Sequence, residues 1–288
     1  MRVKFILVPY DSGKHKIGMG KGPGRILGKG FKKQLIKSGY VVDTQEVRNA
    51  KQELLTDIQL AFRLNSILSR TVAETIAKGM FPMILGGNCI TSVGALSGIH
   101  DSHISVLWLD AHGDYNTPDT TRSGYLDGMA LAIACGKCWK GISTNDPLYQ
   151  MIPEDHVVLV GARDIDPEEA QTLKASKIKF VTSDTVRSNN YTIPEMNRSS
   201  LKKLYIHFDA DVIDESIGQA NQFAAPNGLL TNEILNIFRW SAVHFDIQAV
   251  AVTAYNPEYD SNGSICKVIR ETIAALLDGI TSRQHLAT

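Results

Sequence analysis

Asp110-Ala111-His112-Gly113-Asp114 follows directly on the apolar run 104–109, so three side chains able to ligate a metal stand at i, i+2 and i+4 beyond a β-type segment. They would share one face if the strand continued. A second run, Leu204-Tyr205-Ile206-His207-Phe208-Asp209-Ala210-Asp211-Val212-Ile213-Asp214, repeats the spacing with His207, Asp209 and Asp211. Aspartate is depleted in strands and a dry, unpaired carboxylate is costly, so both clusters call for a cation. Brought together at the carboxyl edge of a parallel sheet, they make an oxygen-rich site with imidazole at its margin. That donor set suits a pair of divalent ions such as Mn²⁺ better than a single one. A carboxylate from each run could bridge ions about 3.5–4 Å apart, with room for a shared water nucleophile. The competing reading makes these acids helix caps or solvated loop residues.

The elements that must position these residues follow from hydrophobic periodicity. β-type runs at 3–8, 40–47, 83–85, 104–109, 157–160, 203–208 and 247–252 alternate with amphipathic stretches at 23–38, 53–78, 167–175, 231–241 and 261–278. Such alternation predicts a parallel sheet covered by helices on both faces. Thr231 reads as a helix cap with Glu233 two positions on. No repeat, low-complexity tract or linker divides the chain, so one α/β domain over 1–288 is expected. Open sheets bind ligands beyond the carboxyl ends of their strands. Residues 86–89, 110–114, 161–166, 209–214 and 255–257 all follow β-type runs and could line one rim.

Composition narrows the function. The 288 residues, 43% of them apolar, can supply a substantial core. Thirty basic and thirty acidic residues cancel, which leaves no electrostatic footprint for nucleic acid or an anionic membrane. No window approaches the roughly 18 apolar residues of a membrane span, and the amino terminus reads as a strand rather than a secretory signal. A cytoplasmic protein acting on a small molecule is expected. Cys135-Gly136-Lys137-Cys138 has redox or zinc spacing but no second pair, and it follows the apolar run 129–134. With Cys266 it reads as reduced packing cysteine.

These residues carry a resemblance. Gly86-Gly87-Asn88-Cys89, Asp110-Ala111-His112-Gly113-Asp114 and Asp209-Ala210-Asp211-Val212-Ile213-Asp214, with an early Gly18-Met19-Gly20-Lys21-Gly22-Pro23 stretch, resemble the signatures of the arginase/agmatinase (ureohydrolase) family. The resemblance implies a three-layer α/β/α domain with an eight-stranded, mostly parallel sheet, often assembled as trimers or hexamers. It implies two Mn²⁺ ions bridged by Asp110 and Asp209, with Asp114 on one ion and His112 and Asp211 on the other. Asp114 would orient the water that attacks the planar carbon of the substrate. Asn116, Thr121 and Ser123 would hold the α-carboxylate of an amino-acid substrate, and Asp166 and Glu169 its ammonium group. Turn chemistry, with Asp166 as an N-cap before Pro167, is the alternative for these five.

Three positions depart from the family pattern. Cys89 replaces a histidine, so the adjoining metal position would bind Mn²⁺ weakly, accept Fe²⁺ or Zn²⁺, or be empty; the alternative is a buried cysteine at a helix start. Asp127 replaces a histidine that moves protons, and its unperturbed pKa of about 3.9 suits that task only if burial raises it. Ala254 replaces a glutamate that pairs with the guanidinium, leaving Glu258 as the acid nearest in sequence. The cysteine and the loops 113–118 and 123–129 look more like the Nω-hydroxyarginine amidinohydrolases within the family. The resulting expectation is a binuclear hydrolase cleaving a C–N bond of an arginine- or hydroxyarginine-like amino acid. A formiminoglutamate hydrolase and a binding or regulatory member with weakened chemistry are the alternatives.

Overall fold

Alternate side chains of a strand enter opposite faces of a sheet, and both faces of this one are apolar layers. The structure, a computed structural model, describes residues 1–49, 55–189, 192–193, 196 and 201–286. In chain order the main strands are β1 (Arg2–Val8), β2 (Val41–Glu46), β3 (Phe81–Gly86), β4 (Ser105–Leu109), β5 (Val157–Val160), β6 (Lys179–Val181), β7 (Lys203–Asp209) and β8 (Asp246–Thr253). They form an eight-stranded sheet in the order β2-β1-β3-β8-β7-β4-β5-β6. Every pairing is parallel.

The helices that cover the sheet are α1 (Gly22–Leu27), α2 (Lys29–Lys37), α3 (Asp57–Ala77), α4 (Thr91–Ile99), α5 (Ala130–Ala134), α6 (Pro167–Ala175), α7 (Thr231–His244) and α8 (Ser264–Leu286). Period two sorts the core. Leu204, Ile206 and Phe208 of β7 pack with Ile26 of α1, Phe31 of α2, Phe238 of α7 and Ile269 of α8. Val106 and Trp108 of β4 and Tyr205 of β7 pack with Leu68 of α3, Leu96 of α4 and Leu131 of α5. The three-layer α/β/α architecture expected from the sequence is therefore present.

Several local expectations change. The stretch 23–38 is two helices, because the chain turns at Gly28. The Arg25 and Ile26 carbonyls left near that break accept from the Arg270 guanidinium. The expected helix start at 53 lies outside the described residues; α3 begins after Thr56, whose side chain forms a reciprocal capping box with Gln59. Thr231 is not the cap of α7: Leu230 holds that position, and Glu233 reaches back to its backbone N–H at 2.9 Å. The short strand β6 carries too little pattern to be read from sequence.

The central order β3-β8-β7-β4-β5 brings the carboxyl ends of five strands side by side. The segments beginning at Gly87, Ala254, Ala210, Asp110 and Gly161 leave the sheet there. Gly87 is required by close approach, since a Cβ would lie 2.1 Å from the Tyr10 carbonyl oxygen.

Phe208 and Phe238 meet edge to face at 5.2 Å across the β7–α7 interface, both essentially inaccessible to water. Phe238→Ala is expected to lower unfolding stability by about 3–5 kcal/mol through lost burial and a residual cavity. Urea unfolding checks this as a lower midpoint at unchanged slope.

Candidate metal centre and substrate pocket

The two acidic runs do not reach the site as continued strands. β4 stops at Leu109 and β7 at Asp209. Asp211 lies in a single 3-10 turn, Ala210–Val212, whose first N–H groups are organised by Asp209: its carboxylate accepts from the Asp211 N–H at 2.8 Å. Asp110 does the same for the other run, accepting from the His112 N–H at 2.8 Å, while Trp108 Nε1 donates to its second oxygen at 3.2 Å. Asp114 has left-handed backbone, φ 49°, and its carbonyl accepts from Leu131 and Ala132 in α5. The carboxylates are gathered by turns that they themselves cap, a geometry that strand periodicity does not foresee.

Among the described residues, two groups of ligand-competent side chains result, each with its donor atoms within 4.8 Å of one another: Cys89, Asp110, His207 and Asp209 in one, and Asp110, His112 and Asp211 in the other. Asp110 belongs to both. Asp209 belongs to one only, and Asp114 to neither, although Asp114 lines the same cavity. His207, which the sequence placed at the margin, joins the first group. Its ring stacks on Trp108 at 3.8 Å, its Nδ1 pairs with Ser92 Oγ at 2.7 Å, and its Nε2 lies 3.6 Å from Asp110. Asp214 falls outside both groups, accepting from Ser216 and Gly228 to hold its own turn.

Asp110, Asp114, Asp209 and Asp211 are each buried to within 4% exposure, which sets their electrostatics. Burial and neighbouring acids push Asp114 and Asp209 well above the usual carboxylate range. Asp211 is also raised by burial, against the lowering influence of His112. Burial acts upward on Asp110 too, but His112 and His207 beside it outweigh that effect and hold it low. His112 is 3.4 Å from Asp110 and 3.5 Å from Asp211. Burial lowers its pKa, but the two carboxylates prevail and raise it to about 10. His207, fully enclosed, is lowered by burial.

The buried cluster as a whole fits divalent cations on a structural criterion: next to the two groups, the Asp114 Oδ2 atom is buried with no hydrogen-bond partner, beside three further enclosed carboxylates. The donors are oxygen and imidazole with a single sulfur, a set suited to Mn²⁺, Fe²⁺ or Zn²⁺. Cys89 precedes α4 and is buried, but its thiol donates to Asp209 Oδ2 at 2.8 Å, so it faces the carboxylates rather than only filling the core. Burial and the surrounding acids push its pKa well up. Cys135 and Cys138 are free, buried and likewise raised to about 12 by burial, as packing cysteines would be.

Above the carboxylates opens a cavity of about 250 Å³ lined by Met19, Cys89, His112, Asp114, Asn116, Thr121, Ser123, Tyr125, Asp127, Asp164, Asp166, Glu169, Asp209, Asp211, Asn221, Phe223 and Ala254. All five expected substrate-binding residues therefore reach it. A larger groove, about 800 Å³, lies between α7 and α8 and contains none of the motif residues. Asp166 occupies the N-cap position of α6, yet its side chain makes no capping bond there and instead lies 3.5 Å from Asn116 Nδ2. Glu169 is buried, accepts from the Tyr115 N–H at 2.7 Å and is raised to about 7 by burial. Thr121 and Ser123 oxygens accept from the Gly124 and Tyr125 N–H groups, leaving each hydroxyl proton available.

Asp127 sits where Asn88 Nδ2 donates to one of its oxygens at 2.7 Å and the Ile90 N–H to the other at 2.8 Å. Burial raises it to about 7, which meets the condition set by the sequence for proton transfer near neutrality. Ala254 lines the cavity in a left-handed conformation, φ 56°. Glu258 does not replace the missing carboxylate: it is exposed and bound to Lys21 at 2.5 Å. Asn221 and Phe223 were invisible to sequence reading because segment 215–228 is irregular. Asn221 is fully buried and donates to both Asp211 Oδ2, at 3.1 Å, and the Ala254 carbonyl, at 2.7 Å.

Because Asp110 belongs to both ligand groups, Asp110→Asn is expected to abolish metal binding at both, whereas Cys89→Ser should weaken it at one. Manganese content after equilibrium dialysis checks this: about two ions per chain before substitution, near none for Asp110→Asn, and an intermediate content for Cys89→Ser.

A family model described as "Arginase family" matches residues 1–277. An arginase of Bacillus subtilis is 30% identical over 211 residues, covering 70% of this chain and 68% of that protein. A crystal structure of arginase from Bacillus subtilis superposes with a TM-score of 0.85 at 25% identity, covering 96% of this chain and 98% of the other. The formimidoylglutamase structure from the same organism has a TM-score of 0.76 at 18% identity, covering 97% and 87%, a likeness of fold. By the extent of the family match, the chain belongs to the arginase family.

Proposed function

We propose that this protein is a binuclear metal-dependent hydrolase that cleaves a C–N bond in the guanidino-type group of an amino-acid substrate, with Mn²⁺ as its preferred ion. The observation that carries the reading is the sharing of Asp110 between two ligand groups whose Cys89, His112, Asp209 and Asp211 line a cavity that Asn116, Thr121, Ser123, Asp166 and Glu169 also line. Bound there, a pair of divalent cations would supply Lewis acidity and lower the pKa of water in the cavity.

The chain's own residues then divide the work. Asp114, which lines the cavity and keeps one buried oxygen without a hydrogen-bond partner, accepts a hydrogen bond from the attacking water and orients it. Asp127 holds or releases a proton for the leaving amine; Asn88 and the Ile90 N–H fix its position while it does so. Asp166 and Glu169 accept from the substrate ammonium, and Asn116, Thr121 and Ser123 donate to its carboxylate. Met19 and Phe223 supply apolar surface that limits water around the reacting carbon. The same reading places the enzyme in the cytoplasm as a homo-oligomer, a trimer or hexamer.

Ala254 favours a second reading. With no carboxylate at that position and Glu258 turned to Lys21, the scissile group is a hydroxyguanidino or formimino group rather than the guanidinium of arginine.

A manganese-loaded sample tested with L-arginine, Nω-hydroxy-L-arginine, formimino-L-glutamate and simple amides separates these readings by product: urea, hydroxyurea, formamide or ammonia. Turnover of a guanidino amino acid is expected. No turnover at full metal content would contradict the hydrolase and leave a binding protein. For the substrate found, Glu169→Gln and Asp166→Asn should each raise KM about tenfold or more, with a smaller change in kcat, since each removes a charge-assisted bond to a part of the substrate remote from the chemistry.

A further inference from the structure

The walls of the cavity are unequal. Acids and hydroxyls occupy the floor and one end, whereas Tyr125 and Phe223 present rings that neither hold a metal nor belong to the head-group cluster. Phe223 is 41% exposed in a setting otherwise rich in carboxylates. Its ring lies 5.9 Å from that of Tyr125, inclined at 35°, and 6.4 Å from that of His112, edge to face at 89°.

The segment carrying Phe223 is tied down at both ends. Asn221 Oδ1 accepts from the Phe223 N–H at 2.7 Å, and its amide nitrogen bridges Asp211 and the Ala254 carbonyl. On the other side, Arg163 spends its guanidinium on backbone carbonyls: Nε donates to Pro226 at 2.8 Å, and Nη2 donates to Ala225 at 2.7 Å and to Asp211 at 2.9 Å. Its Nη1 donates to Gly161 at 3.0 Å. One planar fork thus joins the turn bearing Asp211 to the strap bearing Phe223, a task a lysine cannot perform.

Most carboxylates near the reacting end have other tasks: Asp114 orients the attacking water in the reading above, and Asp164 pairs with His112 at 3.9 Å. Both Asp127 oxygens already accept hydrogen bonds, and Asp110, Asp209 and Asp211 form the proposed metal groups. Ala254 offers only a methyl group. The surfaces left for the delocalised end of a substrate are ring faces, which attract a weakly hydrated planar cation through the aromatic quadrupole.

Resting on the hydrolase reading, we propose that Phe223, with Tyr125 beside it, is the specificity-determining residue for the reacting end of the substrate. It selects a planar delocalised cation by its ring face, and Arg163 is the residue that positions it.

The test compares L-arginine, a planar cation, with L-citrulline, its planar neutral isostere, on the manganese-loaded protein. The KM of L-arginine is read, or its inhibition constant if it is not cleaved, together with the inhibition constant of L-citrulline. Phe223→Leu is expected to weaken L-arginine about three- to tenfold and L-citrulline less than twofold. Phe223→Tyr should restore the wild-type ratio, and Arg163→Lys should shift it in the same direction as Phe223→Leu. Equal losses for both ligands in Phe223→Leu, or no recovery in Phe223→Tyr, would overturn the ring-face assignment while leaving the hydrolase reading intact. A fully loaded wild-type protein that neither binds nor cleaves any guanidino amino acid would overturn the hydrolase reading, and this inference with it.

Discussion

The structure is organised around the enclosure of four carboxylates at the carboxyl ends of β4 and β7 with too little positive charge from the protein to match them. Asp110, Asp114, Asp209 and Asp211 are almost wholly withdrawn from water, and among the described residues the basic side chains paired with their carboxylates are His112 and the buried His207. Isolated charges in such a place are expensive, and removing one partner from a buried pair is more expensive still. The fold accepts that cost because backbone N–H groups and side-chain donors already orient most of these oxygens: Trp108 and His112 at Asp110, Asp211 at Asp209, and Ala111 and Asn221 at Asp211. What the protein does not supply is the remaining positive charge, and the orphaned oxygen of Asp114 marks the deficit.

Positioning passes outward from that cluster through a small number of contacts. Ser92 on α4 fixes the His207 ring, and Trp108 stacks against it from the neighbouring strand. Arg163, leaving β5, joins Asp211 to the strap over the cavity. Asn88 connects Asp127 to Tyr125, whose hydroxyl lies 3.4 Å from Asp11. Elements far apart in sequence therefore meet at the rim through polar contacts, while the apolar layers on either side of the sheet keep the strand ends in register. Site and scaffold share residues: Trp108 is core and orients a proposed ligand at once.

Much of this is legible in the sequence. The alternation of strand and helix patterns gives the layered fold, and residues of both acidic runs line one cavity together with the five residues expected to meet a substrate. How they converge leaves no trace in the strand periodicity. A strand periodicity that would align Asp110, His112 and Asp114 is not used, since the chain leaves β4 at Leu109 and turns through a left-handed Asp114. Turns capped by their own aspartates place the donors instead, and that chemistry leaves no periodic trace. His207 had the right face, yet its membership of a ligand group depends on Ser92 and Trp108, which no local pattern links to it. Asn221, Phe223 and Arg163 act across an irregular segment through carbonyls, contacts that residue type alone does not announce. The departures at Cys89, Asp127 and Ala254 were visible at once, but the environments that give them meaning, a neighbouring carboxylate, burial and a left-handed backbone, required the fold.

Enclosed carboxylates that hold divalent cations link metal binding to folding. Thermal or urea unfolding of the chelator-stripped protein, repeated with increasing Mn²⁺, tests this directly. A cation held by the folded chain alone stabilises it by about 2.7 kcal/mol once free metal reaches a hundred times its dissociation constant. The unfolding midpoint is therefore expected to climb with manganese and to fall back on chelation. A midpoint that stays the same with and without divalent metal would contradict it.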